Sequence, residues 1–245
     1  MSKSSDSSSD SKEKGQGCYL SAAFGALIFI IIVKWLRPTA IPFDFWQFWK
    51  LDGTISDVLS TAWPVFAWGI IINLILVAVE RNDPEVNRNA EVILGAGCAM
   101  SLLAGIFEEI SFRWLIFYSE IVGYKIIDFL LLGFLNIHIV QWLYMHITGP
   151  IANFFTLGKL ESLLFNGLGW AVGAAIISSN GKFREGHAYQ GLLGTINAWF
   201  IGMFMFLLMF KFGLFAAIIV HFLYDMFIFI VAYLGAATQR ALGWT

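Results

Sequence analysis

Residues 95–117 read GAGCAMSLLAGIFEEISFRWLIF, an apolar run of helix length that carries Glu108, Glu109 and Arg113 near its centre. On insertion into a bilayer a central acidic residue or arginine costs about 2.5–3.5 kcal/mol, whereas each neighbouring Leu, Ile or Phe contributes only about 0.3–0.6. Three unmatched charges would cost on the order of 8 kcal/mol, so they must face the interior of a helix bundle and find partners there. Charges in that position read first as a functional site, and as a packing network between helices second.

The whole chain supports lipid as the solvent for this run. Of 245 residues, 58% are hydrophobic, 17% aromatic and 13% charged, and the mean hydropathy is +0.74. A soluble domain carries about a quarter charged residues, so an ordinary cytosolic enzyme is excluded. With 15 Lys and Arg against 17 Asp and Glu the net charge is -2, which leaves no basic patch for nucleic acid. The two cysteines, Cys18 and Cys98, are too few for a disulfide scaffold and read as small buried hydrophobes.

Outward from the decisive run, further apolar stretches of spanning length lie at about 18–36, 58–79, 92–119, 124–147, 160–179, 186–210 and 213–236. Their length and unbroken apolarity exclude the alternating strands of a barrel. The expected fold is all-α, a polytopic integral membrane protein with about seven to eight transmembrane helices around a polar core. Residues 1–17, rich in Ser, Asp and Lys, read as a disordered tail, and 18–240 as a single membrane-embedded domain. The stretch 38–57 mixes Phe43, Phe45, Trp46, Phe48 and Trp49 with charges, as interfacial segments do. Lys and Arg divide evenly between the two faces, so orientation stays unassigned.

Helical geometry assigns the charges different parts. Glu109 and Arg113, four apart, share a face and can form an ion pair. Glu108 is turned about 100° away and remains available for chemistry. Two later motifs add histidines. FREGH sets Phe183 and His187 four apart at the start of the sixth expected span, and HFLYD sets His221 and Asp225 four apart inside the seventh. A buried Glu and His on facing helices can deprotonate one water between them. Asp225, if ionised, would repel a developing oxyanion, so it is expected to be protonated or to orient His221. Glu, His, His and Asp are also a possible zinc set, although no HExxH occurs. His138 and His146, without acidic sequence neighbours, read as carbonyl-bonded packing residues.

EEISFR, FREGH and HFLYD, in that order, resemble the EExxxR, FxxxH and Hxxx(N/D) motifs of the CAAX protease and bacteriocin-processing family, over roughly 92–233. The resemblance implies a metal-independent intramembrane glutamic endopeptidase, without cofactor. In it Glu108 and His187 activate water, His221 and Asp225 serve the oxyanion, and Glu109 and Arg113 complete the first motif. The similarity of HAYQG and the following apolar run to the bacterial branch implies a bacterial inner membrane. The implied partners are a peptide or protein substrate, lipidated or not, and the lipid bilayer. Two other functions fit the same residues: a non-catalytic binding or bacteriocin-immunity protein, and a transporter that uses the polar core as an ion path. No internal repeat pairs the two halves as in many transporters.

Overall fold

A computed structural model describes residues 5–79 and 90–241, and the side chains of 5–20, 76–79, 90–93, 232, 236, 239 and 240 lie outside the description. Among the described residues every regular element is helical: α1 (Ser5–Leu36), α2 (Ile55–Val79), α3 (Ala90–Glu108), a π segment (Glu109–Ile116), α4 (Phe117–Leu130), α5 (Ile139–Leu143), a second π turn (Tyr144–Thr148), α6 (Gly149–Phe155), α7 (Glu161–Phe165), α8 (Trp170–Gly186), α9 (Gly191–Phe212) and α10 (Leu214–Ala241). The all-α expectation therefore holds.

Four helices among the described residues are long and apolar enough to cross a membrane: Ile55–Ile75, Leu94–Leu130, Ala188–Phe212 and Leu214–Gly235. They correspond to the expected spans at 58–79, 92–119, 186–210 and 213–236. The other three expected spans are not among these four. The first lies within α1, whose described side chains begin at Ser21 and form an apolar stretch to Leu36, so residues 18–20 of that expected span lie outside the description. The stretch 124–147 is broken after Leu130, where Leu132 and Asn136 take left-handed backbone angles, φ 70° and 61°. The stretch 160–179 is broken at 166–169 by Gly167 and Gly169, with φ 102° and 87°. Hydropathy averages over such positions, whereas the backbone bends where glycine and asparagine tolerate positive φ. The Ser-rich residues from Ser5 onward, expected to be disordered, continue the backbone of α1. Extending an existing helix requires no new nucleus.

The described residues form two compact units. The first combines 1–49 with 110–207. Its aromatic segment closes over one helix face: Trp114 Nε1 donates to Phe45 O at 2.9 Å and Tyr118 OH to Asp44 O at 2.9 Å. Phe43 and Phe48 are buried, while Trp46 stays outward. Within the same unit α4 and α8 run antiparallel. Ring contacts join Phe112 to Phe183 and Tyr124 to Trp170, and Glu120, one turn before Tyr124, takes Ser178 Oγ and Lys182 Nζ as donors.

The second unit combines 50–109 with 208–245. Gly97, Ser101, Gly105 and Glu109 recur at four-residue spacing and are buried. In lipid the hydrophobic drive between helices is absent, so association relies on close backbone approach at small residues. At Gly105 a Cβ would lie 3.2 Å from Ile218 O and 3.4 Å from Phe222 N of α10. This approach, one turn before Glu109, brings α10 within reach of the carboxylate. Cys98, expected to be buried, is exposed on α3, where a thiol is as compatible with lipid as with a core.

Gly105→Ala pushes a methyl group against backbone that cannot rotate aside. Unfolding in detergent micelles should show a loss of about 1–3 kcal/mol, with Gly105→Leu worse; an unchanged midpoint for both would mean that the approach is not tight.

Candidate active site

The second unit gathers four of the residues expected at the site. His221, on the second turn of α10, is buried, and its Nδ1 lies 2.7 Å from Glu109 Oε1. An ionised carboxylate can only accept, so Nδ1–H is the donor, and Glu109 fixes both the ring's orientation and its tautomer. The other nitrogen, Nε2, faces two further carboxylates: Asp225 Oδ2 at 3.6 Å and Glu108 Oε2 at 3.8 Å. These separations exceed hydrogen-bond length and are those of close charge pairs when the imidazole is protonated.

Exposure divides this cluster into a closed and an open side. The Glu109 side chain is 0% exposed, whereas those of Glu108 and Asp225 are 30% and 27% exposed. The imidazole is therefore anchored through a dry bond at Nδ1 and presents Nε2 toward the accessible carboxylates. Among the described residues no group of three or more His, Cys, Asp or Glu is arranged to hold a metal ion.

This arrangement adds to two expectations. Glu109, whose spacing pointed to Arg113, is also a direct partner of His221. Asp225, considered as the orienter of His221, stands on the Nε2 side, where it cannot hold Nδ1. The run from Glu109 to Ile116 is also π-helical, not α-helical. Its wider i→i+5 pattern changes the angles inferred from a 3.6-residue period, and such segments occur often at functional sites.

Arg113, Phe183 and His187 belong to the first unit. Arg113 is fully buried, its guanidinium 4.0 Å above the Phe183 ring and 5.7 Å from that of Phe206. Gly202 makes room for it, since a Cβ there would collide with Asn180 Oδ1, Arg113 Nη2 and the Phe183 ring. Asn180 Nδ2 donates to Trp199 O at 2.8 Å, and Ser179 Oγ donates to Phe112 O. FREGH ends α8 immediately before the span Ala188–Phe212: Gly186 is the last residue of α8 and His187 caps it with φ −102°. His187 Nδ1 donates to Phe183 O at 2.9 Å, and the two rings lie 4.5 Å apart. Phe183 thus supports Arg113 on one side and His187 on the other, a role that its spacing alone did not reveal.

One further pair escaped the sequence reading. His138 Nδ1 donates to Asp128 Oδ2 at 2.6 Å, and Gln141 N–H donates to Asp128 Oδ1 at 3.3 Å. His138 is therefore carboxylate-bonded, contrary to expectation. His146 is carbonyl-bonded as expected, to Trp142 O at 2.9 Å. The signal was present in Asp128, an acidic residue inside an expected span, to which the reasoning applied to Glu108 also applies.

These features define a membrane-compatible, all-helical protein with a buried carboxylate–histidine cluster. No family model matches the chain, and no curated protein or solved structure matches it.

Glu109→Leu leaves His221 without its buried partner and should cost roughly 3 kcal/mol of stability. Glu109→Gln should retain the fold while changing the imidazole ¹⁵N shifts of His221. Unchanged shifts in both variants would mean that Glu109 does not set the tautomer.

Proposed function

We propose that the protein is an intramembrane endopeptidase, on the single observation that His221 is anchored through Nδ1 while its Nε2 looks toward Glu108 and Asp225. A water held between Glu108 and Nε2 has a base on one side and an oriented imidazole on the other. Glu108 accepts the water proton as the oxygen attacks the peptide carbonyl, and the carboxyl so formed returns that proton to the leaving amine. General acid–base assistance of this kind contributes about 10²–10⁴-fold.

Glu109 is a positioning residue in this scheme, since it acts through His221. Asp225 serves best in its protonated form, as a donor to the oxyanion beside Nε2, because a second ionised carboxylate there would oppose the charge that develops. The motif order supports adding His187 as a further proton acceptor, with Arg113 and Phe183 holding its helix end. The reading also takes from that resemblance a bacterial inner membrane and a peptide or protein substrate that approaches through the bilayer. Activity that is lost to chelators and restored by zinc would move the proposal to metal chemistry.

The test compares protein termini across the proteome in cells that express the wild type or Glu108→Gln at matched membrane levels. New termini present only with the wild type support proteolysis, and Glu108→Gln should reduce cleavage of any substrate so found by at least about 10²-fold. Identical profiles from two folded, inserted proteins would replace the proposal with a non-catalytic binding or immunity role. Proton flux in vesicles that vanishes with Glu108→Gln would point to transport.

A further inference from the structure

Between Leu130 of α4 and Trp170 of α8 the described chain holds no unbroken apolar helix of spanning length. Because α4 and α8 are antiparallel, Leu130 and Trp170 lie at the same end of the pair, so the intervening residues leave and return at one end. They do so as a hairpin. The descending arm is the continuous helical run Ile139–Leu143, Tyr144–Thr148 and Gly149–Phe155, and the returning arm contains Glu161–Phe165. Tyr144 OH donates to Leu164 O at 2.5 Å, and a Cβ at Gly149 would meet the Phe165 ring, so the arms are closely paired. Asp128 and His138 clasp the strand of chain that leads into it.

The depth of the hairpin follows from its neighbours. Its base is level with the beginning of α8, since Tyr144 and Leu164 both abut Gly173. Its tip is level with the middle of α9: the Phe155 and Trp199 rings are 5.9 Å apart, and Asn180 of α8 bonds Trp199 O. Trp199 stands next to the centre of the apolar span Ala188–Phe212. From Gly173 to Asn180 is about 10 Å along a helix, roughly a third of a hydrocarbon core. The hairpin therefore turns round near mid-depth.

Its tip does not suit lipid. Leu157 and Gly158 have positive φ, 54° and 71°, and close the turn through Gly158 N–H to Asn153 O at 2.9 Å. Lys159 and Glu161 follow directly and are exposed. Irregular backbone and exposed charge at membrane depth are tolerated only within protein or beside water.

We propose that the hairpin Ile139–Phe165 is a re-entrant element whose tip, 156–161, lines a water-filled inlet reaching the middle of the membrane. The inlet would bring bulk water and small polar solutes to the depth of Trp199 and Asn180 and stands whether or not the protein is a peptidase. Lys159 and Glu161 keep it hydrated.

The test uses the full chain in lipid vesicles, with Cys18→Ser and Cys98→Ala as background. Leu157→Cys and Lys159→Cys replace exposed side chains, so folding should survive. With a membrane-impermeant maleimide on both sides, both should react at least tenfold faster than Leu103→Cys, an outward-facing position on the Leu94–Leu130 helix. Reaction as slow as that control would place the tip in lipid and overturn the inlet. Depth is read by a short bismaleimide, which should join Phe155→Cys to Trp199→Cys. It is also read by a fluorophore on Leu157→Cys, which should be quenched most by lipids carrying a nitroxide near the centre of the acyl chain. Strongest quenching by a headgroup nitroxide would put the tip at the surface and overturn the re-entrant reading.

Discussion

A charge in a low-dielectric interior must meet an opposite or hydrogen-bonding group at short range, because desolvation costs several kcal/mol per ion even after relaxation. The 2.7 Å contact between Glu109 and His221 satisfies that demand, and the rest of the second unit is arranged around it. The small residues of α3 prepare the approach, with Gly105 set against the backbone of α10 one turn earlier. Once made, the bond decides which nitrogen of His221 faces outward and thus which carboxylates share its accessible side. Replacing Gly105 by a larger residue and removing Glu109 are two routes to the same loss of geometry.

The first unit adds a different chemistry. Arg113 lies on the face of Phe183, whose ring quadrupole offers a diffuse negative surface to the guanidinium. The contact gives the buried guanidinium a favourable neighbour within its own unit, on the same ring that packs against His187 at the end of α8. Asn180 and Gly202 matter for the same reason, one as a hydrogen-bonded neighbour and the other as the space in which the side chains meet.

Charges in apolar context were the most legible part of the sequence. Glu108, Glu109, His221 and Asp225 stood out because each is costly in a membrane, and the structure brings all four into one cluster. Their pairing was less legible. An α-helical period points Glu109 to Arg113 but gives no sign of His221, and nothing in hydropathy or spacing marks the change of pitch at Glu109. The long helices were legible because their apolar runs are unbroken. The hairpin was not, because Gly133, Asn136, Gly167 and Gly169 barely alter an average over about twenty residues while deciding where the backbone turns. His187 stands next to the start of the Ala188–Phe212 span, as expected, but the same averaging hid the separate helix that Gly186 ends just before it.

The hairpin carries a consequence for biogenesis. Insertion machinery admits segments one at a time by hydrophobicity and length, and neither arm of Ile139–Phe165 qualifies alone. Its attachment points, Gly173 on α8 and Trp199 on α9, lie later in the chain and do not exist while the hairpin is being synthesised. The segment must therefore wait near the membrane surface and settle into place only after the downstream helices have entered. Docking of a re-entrant hairpin would thus follow the synthesis of helices that lie after it in the chain.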